Sequence, residues 1–291
     1  MTGAKLTYLA AEERIQGWIN DEKSRPDLAF HSLARLHGGK TERALLIFHG
    51  VTNSPEQFRP LSELFFERGY NVFVPRHPRH GHTDRTGRAM RGYQLEETLE
   101  HASRALDLTC GLGERITVIG LSGGGNLSAW LAQTRPEIDL AVVMAPFLGM
   151  GSVPAQATVL ALELMAKLPD IHSWWDPRTK MENPFSPPFA YTGFMTHALG
   201  QMGHLGQQVK QLARNAPPLA RRVLLISNES DIAVNKQEID QLHMLWASYP
   251  GFRAYVIPKE AQVEHDFISL GINAERNIAM YPKLLELIDS E

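Results

Sequence analysis

The stretch that decides this fold is Ile116-Thr117-Val118-Ile119-Gly120-Leu121-Ser122-Gly123-Gly124-Gly125-Asn126-Leu127-Ser128-Ala129-Trp130-Leu131. It opens with an apolar, β-branched run, the composition of a buried strand. Gly120-Leu121-Ser122-Gly123-Gly124 is then a G-x-S-x-G pentapeptide, and Leu127, Trp130 and Leu131 follow at helical spacing. Strand, sharp turn and helix in that order predict a serine in a strained backbone conformation. Its Oγ would stand exposed at the carboxyl end of the strand. Only small neighbours fit such a turn, which accounts for glycine two residues before and two after. The bland alternative is a Gly/Ser loop.

Working outward, further short apolar runs at Ala44–Phe48, Asn71–Val74, Arg115–Leu121, Leu140–Met144, Arg222–Ile226 and Arg253–Ile257 predict buried strands. Helix-length segments separate most of them. Pro55–Arg68 places Phe58, Leu61, Leu64 and Phe65 on one face, and Leu95–Leu108 and Lys236–Ala247 are similar in length. The alternation predicts a mostly parallel sheet covered on both faces. Ala29–Leu36 is a candidate extra strand, and residues 1–25 suggest a helix and a linker.

The stretch 146–218 breaks the pattern. It carries Pro154, Pro169, Pro177, Pro184, Pro187 and Pro188, with helical patches at Val159–Leu168 and Leu199–Ala213. Trp174, Trp175, Phe185, Phe189, Tyr191 and Phe194 crowd between them. So long a structureless loop is uncommon in a compact domain, so a mostly helical insertion is expected there. Residues 1–145 and 219–291 would form the main domain. About half of the aromatics are expected to pack as core, and the others to line an apolar pocket. Met150, Met165, Met181, Met195 and Met202 would add adaptable apolar surface.

Composition excludes several function classes. The 291 residues are 43% hydrophobic and 21% charged, with a formal net charge of −3, so no whole-chain charge favours nucleic acid. The single cysteine, Cys110, allows no intrachain disulfide. No run approaches the ~18 apolar residues of a membrane span, and Met1–Asp21 does not resemble a secretory signal. A cytoplasmic setting is expected, with no stable membrane insertion.

A serine hydroxyl needs a base to take its proton and an acid to orient that base. Asp231 follows the run Val223–Ile226, and His265 follows Tyr255–Ile257. Both lie after strands, as Ser122 does, and parallel strands bring such ends to one edge. Asp231 is the candidate acid, with Glu229 the substitute and a turn or helix-cap aspartate the bland reading. His265 is the candidate base among 12 histidines, and the neighbouring Asp266 is expected to be structural. Backbone N–H groups of Gly123 and of Val51, in His49-Gly50-Val51-Thr52, are candidate donors to a developing oxyanion. Gly50 would allow the turn there, while Ser54 and Pro55 would cap and start the next helix. His49, Phe147, Trp174 and Trp175 are candidate pocket residues.

These motifs resemble the α/β-hydrolases. The His49–Thr52 loop, the His80-Gly81-His82-Thr83 loop, Gly120–Gly124, Asp231 and His265 match that superfamily in type and order. Within it the chain is similar to carboxylesterases and monoacylglycerol-lipase-like serine hydrolases. The resemblance covers roughly residues 25–290 and is weak for substrate. It implies a central sheet flanked by helices, with a helical cap where 146–218 stands. It also implies that Ser122, Asp231 and His265 form a catalytic triad cleaving small carboxylic esters, of short to medium chain, with monoglycerides among the candidates and no cofactor. Gly125 and the order His80-Gly81-His82, where the family has Gly-His-Gly, are departures.

Rival readings remain. Amide or peptide cleavage, carbon–carbon hydrolysis and acyl transfer use the same nucleophile, and a non-catalytic binder could share the fold. His77, His80, His82 and Asp84 have partial metal-ligand spacing, but Arg85 stands where a further histidine should be, and neighbouring arginines oppose a cation. Arg76, Arg79, Arg85, Arg88 and Arg91 could instead meet an anionic substrate group.

Overall fold

The computed structural model describes residues 6–182, 186–271 and 273–289. Pro184 and Phe185 lie outside the described residues. Helix α1 (Tyr8–Lys23) precedes β1 (Leu33–Arg35) and β2 (Thr41–Phe48). A 3₁₀ turn (Pro55–Phe58) leads into α2 (Arg59–Glu67), followed by β3 (Tyr70–Val74) and α3 (Leu95–Thr109). Next come β4 (Gly113–Leu121), α4 (Gly123–Thr134) and β5 (Leu140–Met144). The intervening segment holds α5 (Ala155–Lys167), β6 (His172–Trp174), β7 (Gly193–Met195) and α6 (Thr196–Asn215). The chain closes with β8 (Arg222–Asn228), α7 (Lys236–Trp246), β9 (Phe252–Ile257) and α8 (Ala274–Asp289).

Among the described residues seven strands form one sheet in the order β1-β3-β2-β4-β5-β8-β9, in which only the β1–β3 pairing is antiparallel. The candidate strand at Ala29–Leu36 is therefore real but short, and it closes one edge. Alternate residues of β2 serve opposite faces. Ala44, Leu46 and Phe48 join a cluster with α1, α3, α4, α6 and α7, while Leu45 and Ile47 join one with α2 and α8. Burial on both faces is what the unbroken apolar runs encode. This is the α/β-hydrolase fold.

The chain leaves β2 for β3 on one side and returns to β4 on the other. Loops after β2 and β4 therefore meet where the strand order reverses, the usual place for a site in an open α/β sheet.

The segment between β5 and β8 carries two long helices, α5 and α6, where helical patches are expected, and irregular chain between them with a two-stranded pairing of β6 and β7 that the proline-rich sequence concealed. Helix α6 is not a loose cover. Its Leu199, Met202, Leu205 and Val209 belong to the same cluster as Leu127 and Leu131 of α4. Helix α5 lies on α6 at Gly203, where an added Cβ would overlap Leu162. Val159, Leu160 and Leu164 of α5 remain exposed.

Candidate active site

Ser122 sits between β4 and α4 with φ 59° and ψ −117°, a conformation that ordinary residues avoid. The turn is held from three sides. Ser122 N–H donates to Met144 O at 2.9 Å, and its carbonyl accepts from Asn126 N and Phe147 N, each at 3.1 Å. The flanking glycines are sterically required. A Cβ on Gly120 would overlap the carbonyl of Gly124, and one on Gly124 would overlap the carbonyl of Phe48. Gly125, a departure from the family pattern, has a local cause too: its Cβ would stand 2.9 Å from Met144 O. Asn126 then ties the turn to the segment 146–218 by donating to Phe147 O at 2.6 Å and Met202 O at 2.9 Å.

The loop after β8 delivers Asp231. Its Oδ1 accepts from Ala233 N at 2.8 Å and Val234 N at 3.3 Å, so the turn-forming reading of this residue is correct. Its Oδ2 stands 2.6 Å from His265 Nδ1, in the loop after β9. One carboxylate thus shapes its own turn and meets the His265 ring. Glu229 instead accepts from Lys259 N at 3.1 Å. Burial lowers the His265 pKa, but the Asp231 carboxylate, by charge and by hydrogen bond, and then the Asp266 charge raise it above the usual histidine value.

Ser122 and His265 line one cavity of about 450 Å³, together with Val51 and the apolar side chains of Phe147, Met150, Trp175, Leu199, Ile232 and Val234. That volume suits a small organic ligand. Gly123, first in α4, has no intrahelical acceptor for its N–H. A Cβ on Gly123 would lie 3.3 Å from Val51 N, so the two backbone positions are adjacent.

Of the four pocket candidates, Phe147 and Trp175 line the cavity, and Trp175 Nε1 donates to Thr52 Oγ1 at 3.2 Å. His49 does not. It is fully buried, its Nε2 accepts from His77 N at 3.1 Å, and its Nδ1 faces Gly50 O at 2.9 Å. Trp174 does not line it either: its ring packs edge-on against His172, 4.7 Å away, in the β6–β7 hairpin. Met150 lines the cavity, whereas Met195 is core and Met181 is exposed.

Other expectations are corrected here. Gly50 has no left-handed φ, and a Cβ on it would meet Gln57 and the Leu121 carbonyl at ordinary distance, so the turn does not require glycine. Pro55 starts the 3₁₀ turn as expected, but Ser54 makes no side-chain cap. The left-handed residues around His80 are Arg79 (φ 64°) and Gly81 (φ 74°), which makes Arg79 the residue out of pattern. His80 itself faces Val51 O and Pro78 O from its two ring nitrogens. Burial holds its pKa down to about 4, so the neutral ring donates to only one of them.

Among the described residues no cluster of metal-ligating side chains is placed to hold an ion. Arg76 pairs with buried Glu22 at 3.3 Å, Arg79 with Glu97 at 3.5 Å, and Arg85 donates to Pro187 O at 2.8 Å. None of them lines the cavity.

Sequence reasoning missed Asn228. Its Nδ2 donates to Val263 O and Glu264 O at 3.0 and 2.9 Å, and its Oδ1 accepts from Ser230 N. It stitches the Asp231 loop to the His265 loop, and a lone asparagine at a strand end gives no signal of that.

Residues 43–176 match the protein family described as alpha/beta hydrolase fold. A thermostable monoacylglycerol lipase from Bacillus sp. (strain H-257) is 29% identical over 137 residues, which are 44% of this chain and 53% of that protein. The chain thus matches about half the length of that curated relative. The crystal structure of a monoacylglycerol lipase from Paleococcus ferrophilus superposes with a TM-score of 0.64 at 18% identity, covering 89% of this chain and 97% of that one. A soluble variant of monoglyceride lipase from Saccharomyces cerevisiae, in complex with a substrate analog, gives 0.65 at 14% identity, covering 89% and 90%. The resemblance therefore runs to lipases and esterases within the α/β-hydrolase fold. Among the described residues no helix is long and apolar enough to cross a membrane.

Proposed function

We propose that this protein is a serine hydrolase of carboxylic esters with short to medium acyl chains, monoglycerides being among the candidate substrates. The observation that carries the reading is the 2.6 Å contact of His265 Nδ1 with Asp231, on a ring that lines the same cavity as Ser122. With Nδ1–H held by the carboxylate, the unprotonated nitrogen of the neutral ring is Nε2, the atom a general base uses.

In this reading Ser122 Oγ attacks the ester carbonyl while His265 Nε2 takes its proton. The carbonyl oxygen, now negative, receives N–H groups from Val51 and Gly123. His265 returns the proton to the leaving alcohol as the ester C–O bond breaks, leaving an acyl-Ser122. Water, deprotonated by His265, attacks the acyl carbon, and Ser122 Oγ leaves with the proton. The described part of the segment 146–218 acts as the cap over this site, with Phe147, Met150 and Trp175 facing the acyl or alcohol group. The apolar wall favours uncharged chains. A cytoplasmic setting accords with the single cysteine.

The test is a panel of p-nitrophenyl esters of increasing chain length, assayed with wild type and Ser122→Ala. Turnover should fall by at least ~10³-fold in the variant, with folding unchanged. A fluorophosphonate should label wild type at Ser122. Full turnover in Ser122→Ala, or no labelling of a folded wild type, would overturn the reading, and the latter would favour a non-catalytic binder.

A further inference from the structure

Gly50, immediately before Val51, donates its N–H to Gln57 Oε1 at 2.8 Å, and Gln57 Nε2 donates to Asp266 Oδ2 at 2.9 Å. The partners fix the amide's orientation, because a backbone N–H needs an acceptor and a carboxylate needs a donor. Gln57 is buried at 1% exposure, so its bond to the Gly50 N–H is shielded from bulk water, while the half-buried Asp266 and Gln57 both line the cavity. The other oxygen of Asp266 accepts from Ser269 N at 3.1 Å and Ile268 N at 3.4 Å, anchoring it in its own loop. One amide thus joins the loop after β2 to the loop after β9, although β4, β5 and β8 separate those strands in the sheet.

The join matters because no steric constraint at Gly50 fixes the loop. Its φ is not left-handed and its surroundings would admit a Cβ. The His49–Gly50 peptide is held by the Gln57 acceptor, and the next peptide, which carries the Val51 N–H, is held through Gly50 O, which accepts from Asn53 N at 3.0 Å and faces His49 Nδ1 at 2.9 Å. Asp266 directly follows His265, so the chain of bonds through Gln57 sets the start of this loop relative to the imidazole. We propose that Gln57 and Asp266 are positioning residues, a strap that keeps the Val51 N–H aimed at the developing oxyanion while His265 moves the proton. The proposal rests on the ester-hydrolase reading above. Neither side chain is assigned contact with the reacting atoms.

The strap is tested by exchanging its charges. Gln57→Glu sets two carboxylates against each other. In the double variant Gln57→Glu/Asp266→Asn, the introduced carboxylate accepts from Gly50 and from the new amide, whose oxygen still accepts from Ser269. Steady-state hydrolysis of p-nitrophenyl butyrate and the melting temperature are measured for wild type, both single variants, the double variant and Ser122→Ala. Gln57→Glu should lose about 10²-fold in kcat, the cost of an ångström-scale misplacement, with KM within about threefold. The double variant should recover most of that loss. In Asp266→Asn the acid limb of the pH–rate profile should also move to lower pH, since the lost charge helps keep the His265 pKa high. That shift is one that a merely structural role would not produce.

If the double variant melts early, Gln57→Met, which keeps the length and removes both bonds, replaces it. A selective kcat loss there supports the strap, and an unchanged kcat overturns it. A Gln57→Glu enzyme with wild-type kcat, or a well-folded double variant no better than Gln57→Glu, also overturns it. Inactive Ser122→Ala beside such results would sink the strap alone. Active Ser122→Ala would remove the hydrolase reading beneath it.

Discussion

His265 Nδ1 stands 2.6 Å from Asp231 Oδ2, and the other oxygen of that carboxylate is held by the N–H groups of Ala233 and Val234. The carboxylate therefore has a fixed orientation before the imidazole arrives, and the imidazole a fixed proton position. Asp231→Asn keeps the size but turns one oxygen into a donor. If the amide oxygen stays with the two backbone N–H groups, the NH₂ faces Nδ1 and moves the ring proton to Nε2, the wrong atom for a base. We predict a loss of about 10⁴-fold in kcat with little change in melting temperature, measured on a p-nitrophenyl ester. A loss below about tenfold would mean that Asp231 is not the orienting acid.

The pH dependence of the rate follows from the same pair. In the proposed mechanism His265 is a base only when neutral, and its pKa is raised above 6.5 by Asp231 and Asp266 despite burial. The kcat/KM profile should therefore fall on its acid side with an apparent pKa above 6.5. An acid limb centred well below 6 in the wild type would contradict the geometry.

Stability should run against that limb and be dominated by other histidines. Protonated His265 stabilises the fold fully below its unfolded pKa, and this contribution fades as pH rises through its raised folded pKa. His49, His77, His80 and His101 have the opposite sign. Burial holds all four neutral, with His80 pushed down to about 4, His101 to about 3 and the other two well below 6.5. Unfolding lets them take up protons below pH 6.5, each removing up to about 1.4 kcal/mol per pH unit until its folded pKa is reached. Four losses outweigh one gain. Urea midpoints at pH 7, 6 and 5 should fall steeply, and a flat series would show that these rings are not buried neutral.

The sequence made some of this legible and not the rest, for physical reasons. Strand β4, the turn at Ser122 and the glycines at 120 and 124 were readable because steric exclusion acts between residues close in sequence. The meeting of Asp231 with His265 was readable because strand ends converge in a parallel sheet. His49 and Trp174 were misplaced because a residue type near a loop does not say which way its ring turns. The hairpin of β6 and β7 was hidden by three-residue strands too short to show a period. Asn228 and Gln57 were invisible because their roles lie in hydrogen bonds to residues 35 or more and 209 positions away.

The turn at Ser122 makes a stability prediction with an internal control. A Cβ on Gly124 would overlap the carbonyl of Phe48, backbone against backbone, so no rotamer change relieves it. Gly39 faces open space with no left-handed φ. Gly124→Ala should lower the melting temperature markedly and cost at least ~10²-fold in activity by shifting Ser122. Gly39→Ala should be neutral or stabilising by less than about 1 kcal/mol, through the unfolded chain. Equal behaviour of the two variants in calorimetry and assay would refute the steric account of the pentapeptide.

A buried ion pair joins the segment 146–218 to the helix that follows the acid loop. Lys210 of α6 donates to Glu238 of α7, each side chain 3% exposed, and to Gln241 Oε1 at 2.8 Å. Gln207 donates to Glu238 at 3.1 Å, and Asn235, four residues after Asp231, caps the Glu238 N–H. Charges this deep forfeit much of their attraction to desolvation, so the pair adds little net stability, yet removing one partner strands the other. Lys210→Met should therefore destabilise by about 3–5 kcal/mol. The helix N-terminus beneath Glu238 softens that cost only partly. Lys210→Met/Glu238→Leu should recover most of the loss, because no charge is left buried. Urea unfolding of the two variants decides it: a double variant as unstable as the single one would mean that packing, and not the stranded carboxylate, sets the cost.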